Sequence, residues 1–146
     1  MSFRITRSAQ ASWQGAYPDG GGRIALGSGA YEGPFTLRAR VEDVERATNP
    51  EELIGAADAG CFTMSLANAL TEHGHPPDDL QTTAKVRLEQ ADGRISVTLI
   101  ELTVTGVVPG IDQDTFASLA QDAKATCPIS RALAGTTITV NATLSS

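Results

Sequence analysis

The sequence is poor in aromatic residues, in basic residues and in cysteine. Aromatic residues make up 5% of the 146 residues, so the core is predicted to be largely aliphatic. Lys and Arg total 11 against 17 Asp and Glu, for a net charge of −6, and no three basic residues are consecutive. Because nucleic-acid binding depends on neutralising phosphate charge, this composition argues against a nucleic-acid-binding protein.

Two further absences bear on location and on metal binding. The first eight residues contain two arginines with no apolar stretch behind them, so no secretory signal is predicted and a cytoplasmic location is expected. The most apolar stretch, residues 53–70, is interrupted by Asp58 and Asn68, which favours a buried core helix over a membrane span. The two cysteines do not form a CxxC motif, which excludes zinc-ribbon and thioredoxin motifs.

The length and composition predict a single domain over residues 1–146. A chain of 146 residues has the usual size of one domain, and 41% hydrophobic with 19% charged residues is typical of a globular protein. Neither an internal repeat nor a linker is evident. The mixture of helical and strand patterns described below predicts an α+β fold.

The strongest helical signal begins after Asn49. Asn49 is a suitable N-cap, Pro50 suits the first helical position, and Glu52 follows the cap by three residues. The helix is expected to end near Gly74, since two prolines follow. Small or apolar residues occupy nearly every face, so this helix is expected to be surrounded by protein. One small chain covers such a helix poorly, and an interlocked homodimer is therefore predicted.

Alternating apolar residues predict strands on both sides of this helix. Residues 35–41 read as a half-buried strand with Arg38 and Arg40 on its polar face. Residues 80–89 and 94–107 are predicted to form a hairpin with a bulge near residues 99–100. The other predicted strands are residues 9–13 and 138–144, and the predicted turns are residues 18–22, 27–29 and 33–34.

The two cysteines occupy different helical positions. Cys127 precedes Pro128 at the start of a short predicted helix, where exposed N–H groups favour a thiolate; the helix before it is capped by Asp112 or Asp114. Cys61 lies in the middle of the long helix, where burial raises its pKa, so a reactive Cys61 needs a cation such as arginine. Two interpretations stay open from these residues alone: two packed thiols, or a redox couple.

Both cysteine segments resemble the OsmC/Ohr family of thiol-dependent peroxidases. Residues 48–57 read TNPEELIGAA and are followed by AGCF at residues 59–62, while residues 123–130 read AKATCPIS. An early Trp13-x-Gly15 element, the VPGID segment and the last strand also fit, so the resemblance covers nearly the whole chain. The sequences of these segments are more similar to the osmotically inducible OsmC branch of the family than to the organic-hydroperoxide-resistance branch.

The resemblance implies a fold and a set of site residues. The expected fold is OsmC-like, with antiparallel sheets around a buried central helix, in an intertwined homodimer whose two active sites lie at the subunit interface. Cys61 would be the peroxidatic cysteine and Cys127 the resolving one. Glu51 would orient the arginine of the family, which matches Arg40 if the OsmC branch is the guide and Arg23 if the other branch is.

The resemblance also implies a reaction. Members of the family reduce organic hydroperoxides, and hydrogen peroxide less readily, through a cysteine sulfenic acid and a disulfide. The reductant is a dithiol or a lipoylated protein, and no metal, haem, flavin or other cofactor is expected. The alternative on the same fold is a non-catalytic module that binds a small ligand or a lipoyl protein. A structural disulfide protein is a third interpretation, which a reducing compartment opposes.

Three features remain open at this point. Glu51 and Cys61 are ten positions apart, which is about 15 Å along a straight helix. Either the helix begins nearer Gly55, or the two side chains of one site come from different subunits. Asp58 departs from the family pattern, and a carboxylate near Cys61 would raise the pKa of that thiol unless it points away to a partner. The His-Gly-His segment at residues 73–75 is interpreted as a helix-terminal turn rather than a metal site.

Overall fold

Ten secondary-structure elements follow one another along residues 2–145, the part of the chain that this computed structural model describes. They are β1 (Ala9–Gln14), β2 (Gly21–Leu26), β3 (Glu32–Phe35), α1 (Leu37–Val41), α2 (Pro50–Glu72), β4 (Asp79–Ala91), β5 (Arg94–Val107), α3 (Gln113–Thr126), α4 (Pro128–Ala132) and β6 (Thr137–Leu144). The predicted α+β class is confirmed. The chain divides into two compact units, Met1–Leu53 and Ile54–Ser146, and the single domain stays a prediction.

The first unit contains a three-stranded antiparallel sheet in the order β1-β2-β3. The ring of Trp13 packs against Phe35, with ring centroids 5.5 Å apart. The turn predicted at residues 33–34 is wrong, because both residues lie inside β3 and pair with β2. Strand β3 is at the edge of this sheet, where a proline such as Pro34 is tolerated because no ladder hydrogen bond is lost.

The strand predicted over residues 35–41 is wrong from residue 37 onward, because only Phe35 lies in a strand and the chain forms helix α1 after it. Thr36 caps this helix by accepting the N–H of Ala39 at 3.0 Å. Arg38 donates to the carboxylate of Glu42, one turn later, at 2.8 Å. The cap and this i, i+4 ion pair are local contacts that only a helix forms, and they prevail over the alternating pattern.

Helix α2 begins and ends where the sequence predicts. The side chain of Asn49 accepts the N–H of Glu52 at 2.7 Å, as an N-cap does. At the other end Gly74 has a φ of +81°, and the N–H of His75 donates to the carbonyl of Leu70 at 2.9 Å. This is the bond of a glycine-terminated helix, so the His-Gly-His segment is a helix-terminal turn as predicted.

One face of α2 is buried and the opposite face is exposed. The buried positions include Gly55, Asp58, Phe62, Leu66 and Leu70. The exposed positions include Ala56, Ala57, Gly60, Met64 and Asn68. A single chain therefore leaves one face of the helix uncovered, as the sequence predicts for one small chain, and its burial on all sides stays a prediction. By length and composition alone α2 could also cross a membrane, so the absence of a membrane span stays a prediction.

The second unit contains a three-stranded mixed sheet in the order β4-β5-β6. Strands β4 and β5 are antiparallel, but β6 runs parallel to β5. The prediction of antiparallel sheets is therefore wrong for this last pairing. Helices α3 and α4 connect β5 to β6, and a connection of that length returns the chain to the end of the sheet where β5 began.

The hairpin between β4 and β5 follows the sequence prediction closely. Asp92 and Gly93 have φ values of 54° and 72°, as a two-residue turn between twisted strands requires. The pairing shifts at Arg87, which lies opposite Leu99, whereas the next residue lies opposite Val97. The extra residue is Thr98, one position before the predicted bulge.

The core of the second unit lies between the sheet and the helices. At Gly55, an added Cβ would lie 3.2 Å from a methyl group of Val86, so this glycine allows α2 to approach β4 closely. The hydroxyl groups of Thr63 and Thr82 join the same two elements at 2.7 Å. The buried hydrophobic cluster comprises Phe62, Leu66, Leu70, Ile100, Leu102, Val104, Val108, Phe116, Leu119, Ala120, Ala123, Cys127 and Val140.

The two last helices meet at Cys127. Of the two predicted caps for α3, Asp112 is the one used, because its carboxylate accepts the N–H of Thr115 at 2.8 Å. Cys127 is both the C-cap of α3 and the N-cap of α4, and Pro128 occupies the first position of α4. The short helix predicted after Cys127 is α4, which ends at Ala132.

Candidate active site

The second unit brings the two cysteines together as free thiols. Cys61 lies on α2 and is partly buried, whereas Cys127 is fully buried at the start of α4. Cys61 packs against the buried hydrophobic cluster that includes Cys127, and Cys127 is close enough to raise the pKa of the Cys61 thiol. The sulfur of Cys127 accepts the N–H of Ser130 at 3.4 Å. This contact is the helix cap predicted from the sequence.

The surroundings of Cys61 hold its thiol in the protonated form. Burial is the largest cause that raises the pKa of Cys61, followed by the hydrogen bond with Cys127. The N–H of Ile129 lowers this pKa, while the charges of Cys127 and Asp58 raise it further. All of these groups lie in the second unit. Within that unit the balance favours the thiol, so a thiolate at Cys61 requires a cation.

Asp58 is fully buried beside the same pair of cysteines. Its Oδ1 accepts the hydroxyl of Ser130 at 2.6 Å and lies 4.0 Å from the sulfur of Cys127. Its Oδ2 has no hydrogen-bond partner within residues 2–145. The carboxylate thus has the partner that one alternative from the sequence required, Ser130, and its charge is also the smallest of the causes that raise the pKa of Cys61.

Sequence reasoning missed Ser130 as part of this cluster. Ser130 is the third residue after Cys127, so the first turn of α4 returns its N–H to the capping sulfur. The same residue donates its hydroxyl to Asp58 on α2. The capping position was visible in the CPIS segment, but the contact with Asp58 joins residues 72 positions apart. Packing alone determines that second contact.

The first unit holds an ion pair between Arg40 and Glu51. The Nε–H of Arg40 donates to Oε1 of Glu51 at 2.5 Å, and Glu51 is buried. The hydrogen bond with Glu51 is the largest cause that raises the pKa of Arg40, and the hydroxyl of Tyr17 also raises it. Sequence reasoning missed Tyr17, which follows the early Trp13 segment. The pair keeps a permanently charged guanidinium in a fixed orientation.

The alternative arginine has a different environment. Arg23 lies on β2 and bonds to Glu32 at 3.3 Å, with both side chains exposed. Glu51 thus pairs with Arg40, while Arg23 belongs to a surface ion pair. Helix α2 begins at Pro50, so the alternative in which it begins nearer Gly55 is wrong. The catalytic roles of these residues stay predictions.

The two histidines contact backbone carbonyl groups. The Nδ1 of His73 lies 2.8 Å from the carbonyl of Ala69, and that of His75 lies 3.3 Å from the carbonyl of Pro109. A carbonyl only accepts, so each ring donates. Within residues 2–145, no group of three or more His, Cys, Asp and Glu side chains is placed to hold a metal ion.

Comparison with known proteins identifies the family. A sequence model described as OsmC-like protein matches residues 42–142. The peroxiredoxin OsmC of Escherichia coli K12 is 43% identical over 130 residues, which cover 88% of this chain and 90% of that protein. The chain belongs to the OsmC family. The match to the family model contains Glu51 and both cysteines of this OsmC-family chain, but begins after Arg23 and Arg40.

Crystal structures of related proteins confirm the OsmC-like fold. An organic hydroperoxide resistance protein from Elizabethkingia anophelis superimposes with a TM-score of 0.75 at 25% identity, covering 99% of each chain. The organic hydroperoxide resistance protein OhrB of Bacillus subtilis gives a TM-score of 0.69 at 24% identity, covering 94% of this chain and 97% of that one. The predicted family and fold are therefore confirmed, whereas the homodimer stays a prediction.

Proposed function

We propose that this chain is a thiol-dependent peroxidase that reduces organic hydroperoxides and, less readily, hydrogen peroxide. The observation that carries the proposal is the proximity of the partly buried Cys61 to the fully buried Cys127, both free thiols in the same buried cluster. Two thiols in contact can store and release two electrons as a disulfide. The name of the E. coli relative, peroxiredoxin OsmC, supports the same class of reaction.

In the first proposed step, Cys61 attacks the distal oxygen of the hydroperoxide. A sulfur–oxygen bond forms, the oxygen–oxygen bond breaks, and the alcohol leaves with the proton that the thiol gave up. In the second step Cys127 attacks the sulfenic acid of Cys61, so that a disulfide forms and water leaves. A dithiol or a lipoylated protein then reduces the disulfide and restores both thiols.

We assign Arg40 to the first step as the cation that Cys61 requires. The groups of the second unit raise the pKa of Cys61, so a neighbouring positive charge is needed to form the thiolate. Arg40 suits this role because Glu51 fixes its orientation and because a guanidinium stays charged when desolvated. A carboxylate–guanidinium pair also offers N–H groups that polarise a peroxide oxygen.

We also propose a homodimer, in which a second copy covers the exposed face of α2. Ala56, Ala57, Gly60 and Met64 on this face are small or apolar, and Met64 is 76% exposed. Apolar surface of this kind on one helix face is typical of an interaction site. A homodimer would also allow the side chains of one active site to come from two subunits.

We place the protein in the cytoplasm, where the thiols stay reduced between turnovers.

The proposal is tested by steady-state peroxidase assays with dihydrolipoamide and cumene hydroperoxide. We expect turnover by the wild type, none by Cys61→Ser, and retention of the first step alone by Cys127→Ser. Ser is close to Cys in size, so both variants keep the packing. If the wild type reduces neither cumene hydroperoxide nor hydrogen peroxide, the enzyme proposal is wrong and the binding module replaces it.

A further inference from the structure

Asp58 is a buried carboxylate that the reaction proposed above does not use. It is completely inaccessible to solvent, and its Oδ2 has no hydrogen-bond partner within residues 2–145. Burying a carboxylate oxygen without a hydrogen-bond partner destabilises the folded protein. A group kept at such a cost in a folded protein calls for a reason, and its neighbours indicate one.

The neighbours of Asp58 are the groups that form the disulfide. Oδ1 accepts the hydroxyl of Ser130 at 2.6 Å, and the N–H of Ser130 donates to the sulfur of Cys127 at 3.4 Å. Ser130 therefore holds the carboxylate and the sulfur at the same time. The sulfur of Cys127 lies 4.0 Å from Oδ1, at the outer limit of a thiol hydrogen bond. Contacts that carry a proton are often long before the reacting partner is in place.

We propose that Asp58 is the proton relay of the disulfide-forming step, an inference that rests on the proposed peroxidase function. The carboxylate accepts the proton of the Cys127 thiol as its sulfur attacks the sulfenic sulfur of Cys61. The sulfur–sulfur bond forms while the sulfur–oxygen bond of Cys61 breaks. The departing hydroxide then takes the proton from Asp58 and leaves as water, so the carboxylate is regenerated without another reactant.

This role predicts opposite effects of Asp58 on the two steps. The negative charge of Asp58 raises the pKa of Cys61, which disfavours the thiolate that attacks the peroxide. The same carboxylate accelerates the second step by accepting a proton. A residue that only supported the local packing would slow both steps or neither when replaced. The two rates measured separately therefore distinguish a proton relay from a structural residue.

The test is a single-turnover comparison of the wild type with Asp58→Asn. Asn keeps the size of the side chain and an oxygen that accepts the Ser130 hydroxyl, but it cannot accept a proton from a thiol. Reduced protein is mixed with one equivalent of cumene hydroperoxide. Loss of peroxide reports the first step. Conversion of dimedone-reactive sulfenic acid into disulfide, counted by mass spectrometry, reports the second.

We expect Asp58→Asn to form the disulfide roughly 100-fold more slowly, the usual effect of removing a general base, with peroxide consumption as fast as in the wild type or faster. The matched control is Asp122→Asn, the same change at an exposed carboxylate on α3, which should leave both rates within about twofold. Cooperative unfolding on heating checks that Asp58→Asn is folded. If it is not, the rates of peroxide consumption and disulfide formation are measured with Asp58→Ser instead.

Two results would contradict the proposals in distinguishable ways. Disulfide formation by Asp58→Asn at the wild-type rate, in a protein whose wild type forms the disulfide, would overturn the relay and leave the peroxidase proposal intact. Equal slowing of both steps would also overturn it, because that pattern is the structural one. A wild type that consumes no peroxide would overturn the proposed function and the relay with it.

Discussion

The Nε of Arg40 and the Oε1 of Glu51 are 2.5 Å apart, and the Glu51 side chain is 9% exposed. A charge-assisted hydrogen bond in a partly desolvated position holds a guanidinium far more firmly than a surface pair does. The other arginine that the family resemblance allows, Arg23, has such a surface pair with Glu32. The two ion pairs therefore differ in burial while they share their chemistry.

This difference makes Arg23 a matched control for the function of Arg40. Replacing Arg40 by Met removes the cation and keeps most of the apolar stem. We expect kcat/KM for cumene hydroperoxide to fall by roughly 100-fold, because a fixed charge that stabilises the reacting thiolate and peroxide is lost. Steady-state kinetics with dihydrolipoamide measure this change, and circular dichroism checks that the variant is folded.

The control variant Arg23→Met should keep kcat/KM within about twofold of the wild type, since exposed ion pairs contribute little. The reverse result, a loss in Arg23→Met with normal activity in Arg40→Met, would transfer the role to the surface arginine. It would also indicate that the organic-hydroperoxide-resistance branch is the better guide to this site.

The sequence predicted α2 well because the chemistry of its ends is local. Asn49, Pro50 and Gly74 act on backbone groups within a few residues, so the bounds are readable without tertiary structure. The hairpin at Asp92-Gly93 was predicted for the same reason. Residues 35–41 were misread because seven residues of alternation fit a short helix as well as a strand, and only the Thr36 cap distinguishes them.

The parts of the candidate site that sequence reasoning missed depend on tertiary contacts. Nothing in the spacing places Ser130 against Asp58, because the two lie on different helices. The parallel pairing of β6 was missed in the same way, since strand direction depends on the path of α3 and α4 across the sheet. The cysteine pair itself came from the family resemblance, as residues 66 positions apart carry no spacing signal.

The cap of α2 leads to a prediction about stability. Asn49 accepts the N–H of Glu52 through Oδ1, and its Nδ2 donates to the carbonyl of Ala39 at 3.0 Å. Asn49→Ala removes both contacts, and we expect the free energy of unfolding to fall by about 1–2 kcal/mol. Urea unfolding followed by circular dichroism measures it. Asn141→Ala, at an exposed position on β6, should change stability by less than about 0.5 kcal/mol, and an equal loss there would contradict the capping argument.

The proximity of the two cysteines leads to a prediction about pH dependence. Cys127 raises the pKa of Cys61 through its hydrogen bond and its charge. Cys127→Ala removes both effects, so the pKa of Cys61 should fall and its thiolate should form at lower pH. The rate of alkylation by iodoacetamide follows the thiolate, and its pH midpoint should move downward relative to the Cys61 profile of the wild type.

The pH midpoint is the informative quantity. If the variant only made Cys61 more accessible to iodoacetamide, the alkylation rate would rise by the same factor at every pH and the midpoint would not change. In the wild type, mass spectrometry after digestion assigns the alkylation of Cys61 separately from that of Cys127. Both proteins should share one midpoint in denaturant, where neither contact exists. An unchanged or raised midpoint in folded Cys127→Ala would contradict the assigned effect of Cys127 on Cys61.

The exposed face of α2 leads to a prediction about assembly. Met64 is 76% exposed in the middle of that face, so a second copy that covers it would bury an apolar side chain. Light scattering after size exclusion should give about 30 kDa for the wild type, twice the chain mass of 15.2 kDa.

Met64→Glu would place a charge in the interface and should return the mass to that of one chain. Ile95→Glu, the same type of change at a 42% exposed position beside the hairpin turn, should stay dimeric. A wild type with the mass of one chain at micromolar concentration would overturn the homodimer, and Arg40 would then have to serve Cys61 of its own chain.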